Sequence, residues 1–544
     1  MTNRRLATTI AGAAGAIAVL TLLARVAGFG RILVFADSVR AGGVGEIYQS
    51  LNALPNVLVE VSAGGILAAV AVPLIARHHG AGDNERADRL ASALLSWTLV
   101  VLVPIAAVVL LLARPLAALL VEPFDPRALE VGARMLRVFA LQIPLYGVGF
   151  VLTGLLQARR RFVAAALAPL LSSIVVLGSY LWYGAIVHGE TAPSQVPDRA
   201  VDLLAWGTTA GVVVLSLPLL GPALASGWRW RPTLLLDPRD RRAVAALAGA
   251  GVLVVAGQQL AVLAALWLAN HSGDRGTFPV WQYAQTVYLL PYAVLAVPIA
   301  TAAFPTLAAG GRTPGGPGED GLTPTLARSV RAVLLVSGLG AALVMATSRP
   351  VAAFFGLLDA RRGTQGASTE ALSALAGALV GLAPGLIGFS VTALLLRASY
   401  VRGSALGAAL AVAGGWLLAA APVLLVGPGA GSATTLRALA LASSVGMTLT
   451  AAVLAILVRR SWSPEATVGS SRTLGALIIA LGLALAVGDS VTRGFPLDTF
   501  ARVLTAGVLS AIAAAVVYLL AMGLGDRELL RDLRARGRLR RRAG

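Results

Sequence analysis

Two arginines, Arg25 and Arg31, stand inside "LLARVAGFGRILVFA" (residues 22–36), a stretch otherwise apolar enough to enter a bilayer. A guanidinium group at that depth costs about 3 kcal/mol unless it faces water, a partner or an anion. It presents five donors in a rigid fork, a match for phosphate oxygens that a lysine ammonium cannot copy. Six positions correspond to about 600° of helix rotation, so a straight helix would point the two side chains roughly 120° apart. Gly28 and Gly30 lie between them, and glycine permits a bend that would let both line one cavity. The competing reading leaves Arg31 snorkelling to headgroups and pairs Arg25 with an acid such as Glu46 or Glu60.

Acids and amides to accompany them follow in "GEIYQSLNALPN" (45–56). Gln49, Asn52 and Asn56 share a helical stripe, which Glu60 extends by one turn and Glu46 precedes. A stripe of this kind lines water or hydrogen-bonds a neighbouring helix, and lining water is the expectation. An unpaired Glu60 carboxylate could carry a coupling proton; a salt bridge to an arginine is the equal alternative. Farther along, "WQYAQTVYLLPYAVLAVP" (281–298) adds Gln282 and Gln285 as cavity candidates. Its tyrosines Tyr283, Tyr288 and Tyr292 read as interfacial belt residues. Pro55, Pro73, Pro291, Pro298 and Pro305 fall where they break or bend two apolar segments, and Pro55 and Pro291 are the expected hinges for gating.

Enzymatic chemistry has little to draw on. His78, His79, His188 and His271 fall in predicted loops without metal-ligand spacing, and no glycine-rich nucleotide fingerprint occurs. The absence of cysteine removes disulfides, thiolate metal sites and thiol nucleophiles. The sequence is read as that of a non-enzyme, with no cofactor and no metal.

Transmembrane helices are the elements that must hold these residues. Of 544 residues, 57% are hydrophobic and 13% charged, and the mean hydropathy is +0.81; soluble domains do not look like this. Runs of about 20 apolar residues recur along the chain and predict an all-α polytopic membrane protein of about fourteen spans, among them 8–38, 45–76, 243–269 and 278–308. The net charge is +19, and all 44 basic residues are arginine. Placing the termini and alternate loops on one side collects roughly 29 arginines there and roughly 13 opposite, so the positive-inside rule sets both termini in the cytoplasm. Charge therefore follows topology, and no nucleic-acid partner is expected. The first apolar stretch runs on without a convincing cleavage site and reads as a span, not a cleavable signal. The tail, 526–544, reads as a basic cytoplasmic end attracted to anionic headgroups.

An internal repeat organises the spans. "PLYGVGFVLTGL" (144–155) aligns with "PGLIGFSVTAL" (384–394), and "LPNVLVEVSAGGILAAVAVPLIA" (54–76) with "LPYAVLAVPIATAAFPTLA" (290–308), at offsets of about 239 and 236. Two separated matches at nearly one offset argue for duplication. Six helices per copy is an even number, which gives both copies one orientation, as in transporters built from parallel repeats. The resulting plan is an N-terminal lobe over 1–228, a C-terminal lobe over 229–460, helices 13 and 14 over 461–525, and the tail.

With these motifs in hand, "ARVAGFGR" (24–31), "GEIYQSLNALPNVL", "GGILAAVAVPLIAR" (64–77) and "YAQTVYLLPYAVLAVPIATAAFPTLA" (283–308) resemble the MurJ/MviN family, proposed flippases of the cell-wall precursor lipid II in the MOP exporter superfamily. The resemblance implies two six-helix lobes around a water-filled central cavity, with two further helices forming a lipid-tail groove. It also implies an inner-membrane protein whose substrate is a polyprenyl-pyrophosphate glycolipid and whose partners include membrane lipids and the cell-wall synthesis machinery. Arg25, Arg31 and Glu46 stand where the family has two arginines and an aspartate in that cavity. The chain departs from the pattern at Val59 and Glu60, where arginines are usual, at Gln285 and Thr286 in place of an Asp-Arg pair, and at Ile32 in place of an acid. Its cavity is therefore less cationic than the family's. The expected function is outward flipping of lipid II by alternating access. Alternatives are export of another lipid-linked oligosaccharide or of drugs by cation coupling, an enzyme acting on polyprenyl lipids, or a scaffold for cell-wall synthases.

Overall fold

Lipid offers no partner for a free amide or carbonyl, so apolar runs of bilayer length must close their own hydrogen bonds as helices. The structure, a computed structural model, describes residues 2–64, 74–122, 124–299, 319–361, 368–402 and 404–526, and no strand occurs among them. Twelve helices among the described residues are long and apolar enough to cross a membrane. The two spans of the sequence reading that are absent from those twelve are 45–76 and 278–308, each of which runs into residues outside the described set.

Two compact units emerge, residues 1–270 with 358–368, and 271–357 with 369–544. The first holds α1 (Thr2–Ser38), α2 (Val44–Val59), α3 (Asn84–Leu111), α4 (Ala113–Leu120), α5 (Ala128–Phe139), α6 (Gln142–Ala158), α7 (Phe162–Val187), α8 (Asp198–Ser216), α9 (Leu220–Ala225) and α10 (Pro238–Ser272), whose last turn crosses the boundary. The second holds α11 (Thr277–Pro291), α12 (Glu319–Ala346), α13 (Ser348–Ala360), whose last three residues cross the boundary, α14 (Thr369–Val401), α15 (Ala405–Ala420), α16 (Ser432–Ser461), α17 (Ser470–Arg493) and α18 (Phe500–Gly525). Grouping by contact differs from grouping by repeat, since α10, the first helix of the second copy, packs with the first unit.

Inside each unit the duplicated sequence makes the same pairs. Helix α6 packs on α2, α3 and α8 as α14 packs on α11, α12 and α16, and α7 lies on α8 as α15 lies on α16. The matching glycines of the repeat explain the close approach. A Cβ on Gly149 would meet Ser216 Oγ of α8 at 2.7 Å, and one on Gly388 would meet the Met447 backbone of α16 at 2.6 Å. Side chains at either position would push the paired helices apart.

Long-range ion pairs tie loops to these frames. In the first unit Arg40, 3% exposed, grips both carboxylate oxygens of Asp359 at 3.2 Å and donates to the Gly189 carbonyl at 2.9 Å. Arg40 holds a left-handed backbone, φ 71°, a strained conformation for a residue with a long side chain, and its buried partners hold it there. Also in the first unit, Asp240 is buried against His78 at 3.0 Å and Arg77 at 3.3 Å. His78 and His79 lie in helical turns and His271 in the last turn of α10, where the sequence predicts loops. In the second unit Arg331 of α12 reaches Asp526 at 2.7 Å, just past α18, and Thr473 of α17 donates to the same carboxylate at 2.6 Å. Helices α17 and α18, which fall outside the repeat, are thus bound to one face of the second unit.

Candidate functional site

Helix α2 organises the polar residues of the first unit. Pro55 lies within it and gives no N–H back to the carbonyl one turn earlier; five residues on, the ladder loosens into a π-helical turn, Glu60–Gly64. The second unit repeats the device, with Pro291 closing α11 directly before a π-helical turn at Tyr292–Ala296. Insertions of this kind are found mostly where helices do something besides pack. Pro298 is exposed, and Pro73 and Pro305 lie outside the described residues.

Beside the first π-turn is a partly open cavity of about 360 Å³, lined by residues of the first unit. Asn56, Val59 and Glu60 form one wall; Tyr146, Gly149, Phe150 and Thr153 of α6 form a second, and Ala165, Ala168 and Pro169 of α7 with Leu215 of α8 complete it. The space exists because small residues stand where α6 and α7 could have filled it. Asn56 points its amide back along α2, donating to the Asn52 carbonyl at 2.9 Å. Glu60 is half-buried and makes neither ion pair nor hydrogen bond among the described residues.

Around this cavity the predicted residues take different places. Arg31 is half-buried on α1, and its guanidinium acts electrostatically on the hydroxyls of Tyr146, which lines the cavity, and Tyr48. Tyr48 itself is sealed in a buried hydrogen-bond cluster with Tyr180 and Thr208, both at 2.8 Å. Arg25 is exposed. The pairing of Arg25 with Glu46 or Glu60 does not occur; neither Arg25 nor Arg31 has an ion pair or hydrogen bond among the described residues. Helix α1 is assigned without interruption through Gly28 and Gly30, and a Cβ on either glycine would meet nothing within 4 Å. Glu46 is buried at 7% exposure in the first turn of α2, and Gln49 and Asn52 are half-buried on the stripe leading to Asn56.

Gln282 and Gln285 are half-buried on α11 in the second unit. Two of the tyrosines beside them, Tyr283 and Tyr288, are not belt residues. Tyr283 is 1% exposed and stacks on Phe355 at 4.6 Å, Tyr288 is buried, and Tyr292 packs on Phe389 at 4.6 Å. The aromatic-belt reading fails for Tyr283 and Tyr288 because their rings fill the interior of the unit, a distinction that residue type alone does not carry. The Arg40–Asp359 clasp and the cavity itself went unpredicted. The first joins residues 319 positions apart with no local pattern; the second depends on what is missing from three helices at once.

Comparison with known proteins follows the same lines. The sequence model of the family described as "Lipid II flippase MurJ" matches residues 35–524. Similar relatives are a "Probable lipid II flippase MurJ" of Rhizobium tropici, 27% identical over 303 residues, covering 53% of each chain, and another of Rhizobium meliloti, 26% identical over 340 residues, covering 61% of this chain and 60% of that one. The matched region thus spans between half and two thirds of these relatives' lengths. Among solved structures, "Lipid II flippase MurJ, inward closed conformation" superposes with a TM-score of 0.70 at 15% identity, over 94% of this chain and 99% of that one. An inward-facing multidrug resistance MATE family transporter of the MOP superfamily gives 0.62 at 17% identity, over 83% and 96%. At these identities the superpositions establish the fold.

Proposed function

The chain belongs to the lipid II flippase MurJ family, and on that premise we propose that it carries lipid II, an undecaprenyl-pyrophosphate-linked peptidoglycan precursor, from the inner to the outer leaflet of the bacterial plasma membrane. The observation that carries the proposal is the pair of guanidinium groups on α1. Arg25 and Arg31 lie within a candidate span, Val19–Ser38, and neither has an acidic partner among the described residues. Cations so placed are stabilised by an anion that comes and goes, and a pyrophosphate offers the oxygens that the guanidinium fork fits. Glu46, Gln49, Asn52 and Asn56 would shape the polar surface of the first unit, and Gln282 and Gln285 would offer polar groups within the second. The π-turns after Pro55 and Pro291 would supply the give that alternating access demands. Translocation breaks no covalent bond, so the work asked of the chain is transport. Both termini would lie in the cytoplasm, following the arginine distribution.

Depletion of the protein in its host, with rescue by Arg25→Ala and Arg31→Ala variants, tests this reading. Lipid II should build up in the inner leaflet on depletion, and the variants should fail to clear it. Full rescue by both variants, or no build-up on depletion, would contradict it.

A further inference from the structure

We propose that Glu60 is a proton-binding site, whose carboxyl group takes up a proton from water in the cavity of the first unit and returns it when the unit changes conformation. The proposal deepens the flippase reading and rests on it only for the transport step that the proton serves.

The first ground is the want of a counter-charge for the carboxylate. Glu60 is half-buried, lines a cavity whose walls are mostly aliphatic and aromatic, and has no cation within ion-pairing distance among the described residues. A carboxylate in such surroundings is relieved by a cation, by full hydration or by a proton. Three elements pack against its π-turn: α2, α3 and α6. On α3 the charged groups stand in the first turns and are already engaged, Glu85 with Arg89, Arg86 with Asp237 and Asp240, and Asp88 with Arg159 of the α6 end. On α2, Glu46 lies 14 positions away, about 21 Å along a helix, and Tyr48 is sealed in its hydroxyl cluster. Tyr146 of α6 is the one titratable neighbour that shares the cavity lining, and it is a neutral phenol under the influence of Arg31.

The internal duplication provides the second, independent ground. At the offset of 236 that matches Pro55 to Pro291, Asn56 corresponds to Tyr292 and Glu60 to Ala296; Phe150 corresponds to Phe389 through the shared Gly-Phe of the other motif. In the second unit Tyr292 and Phe389 pack ring on ring at 4.6 Å, with Trp416 against Phe389 at 6.2 Å, and Ala296 is 1% exposed. One helical frame therefore occurs twice, with packed aromatic rings and an alanine at the matching positions of one copy and a cavity and a carboxylate in the other. Packing alone does not call for the acid, since the same frame closes without it.

Position supplies the link to conformation. Glu60 is the first residue of the π-turn, where the backbone ladder is already out of its α register and is least costly to rearrange. Neutralising the side chain at that residue removes the reason for the turn to hold it toward water, so proton occupancy and the course of α2 are coupled.

Infrared difference spectroscopy on the full-length protein in lipid nanodiscs is the test, because it reads the carboxylic acid carbonyl without substrate. On acidification from neutral pH the wild type should gain a protonated-acid band that Glu60→Gln removes and Glu60→Asp moves, with unchanged helical circular dichroism. Should Glu60→Gln fail to fold, Thr153→Val, which removes a cavity hydroxyl, should shift the frequency of the same band. A wild-type spectrum unchanged by all three substitutions overturns the proposal, and so does a band that Na⁺ displaces at constant pH, which would make the site one for a metal cation. The two readings separate cleanly: a titrating Glu60 in a protein that does not move lipid II leaves this proposal standing and the flippase reading fallen, and the reverse pattern does the opposite.

Discussion

Arginine is the residue type on which the proposed α1 site depends. Because the fork makes two parallel bonds to one phosphate and an ammonium makes a single contact, Arg31→Lys is expected to weaken binding of a polyprenyl-pyrophosphate lipid by about 1.5 to 3 kcal/mol, roughly 10- to 100-fold in Kd. Titration of nanodisc-embedded protein with the lipid checks this; equal affinities would mean that charge alone matters there. Away from the bilayer, Asp274 precedes α11, and the Ser432 amide donates to its carboxylate at 2.6 Å. That backbone hydrogen bond, with another from the Ser432 hydroxyl, holds the Asp274 carboxyl below the usual carboxylate range. A depressed carboxyl stabilises the fold above its unfolded value and loses that contribution as pH falls through its folded one. Thermal melts of Asp274→Asn should accordingly lie below the wild type near neutrality and converge with it in acid. At this scale the sequence was legible where a residue offends its surroundings, as Arg31 and Glu60 do. It was illegible where the same residue type serves two purposes, as with Tyr283 and Tyr288, because hydropathy does not tell a ring in the interior from one at an interface.

Helices were legible from apolar runs and from the repeated Gly-Phe and Leu-Pro motifs, whose packing roles the two copies share. What joins helices across long separations was not. Arg40 and Asp359 carry no spacing signal, yet they form a buried two-pronged pair. Removing one partner strands the other charge in the interior, so Arg40→Met or Asp359→Leu alone should cost about 3 to 5 kcal/mol, while the double variant should recover most of that loss. Denaturation of the four proteins in one detergent measures the cycle, and a double variant as unstable as the sum of the singles would contradict it. The π-turns belong to this scale as well: proline forecasts a break but not its form, and the form here is a shifted ladder with no gap.

The whole molecule carries a duplicated helical frame whose copies have diverged, one with a cavity and a carboxylate, the other with packed rings and an alanine at the matching positions. Spans and duplication could be read from the chain because each is written many times over; a single cavity is written once, in the small size of residues such as Gly149, Ala165 and Ala168. Moving an anionic headgroup outward across an inside-negative membrane is favoured by about 2.3 kcal/mol per charge per 100 mV. Liposomes energised by a potassium gradient should therefore translocate faster inside-negative than inside-positive, and indifference to the sign would argue against a net anion as cargo. The most direct test is reconstitution of the purified protein with fluorescent lipid II, scoring how much probe becomes accessible to a membrane-impermeant quencher. Wild-type vesicles should expose the buried-leaflet probe and those bearing Arg25→Ala with Arg31→Ala should not; equal exposure with the wild type and with the double variant would contradict the claim that these two guanidinium groups hold the cargo.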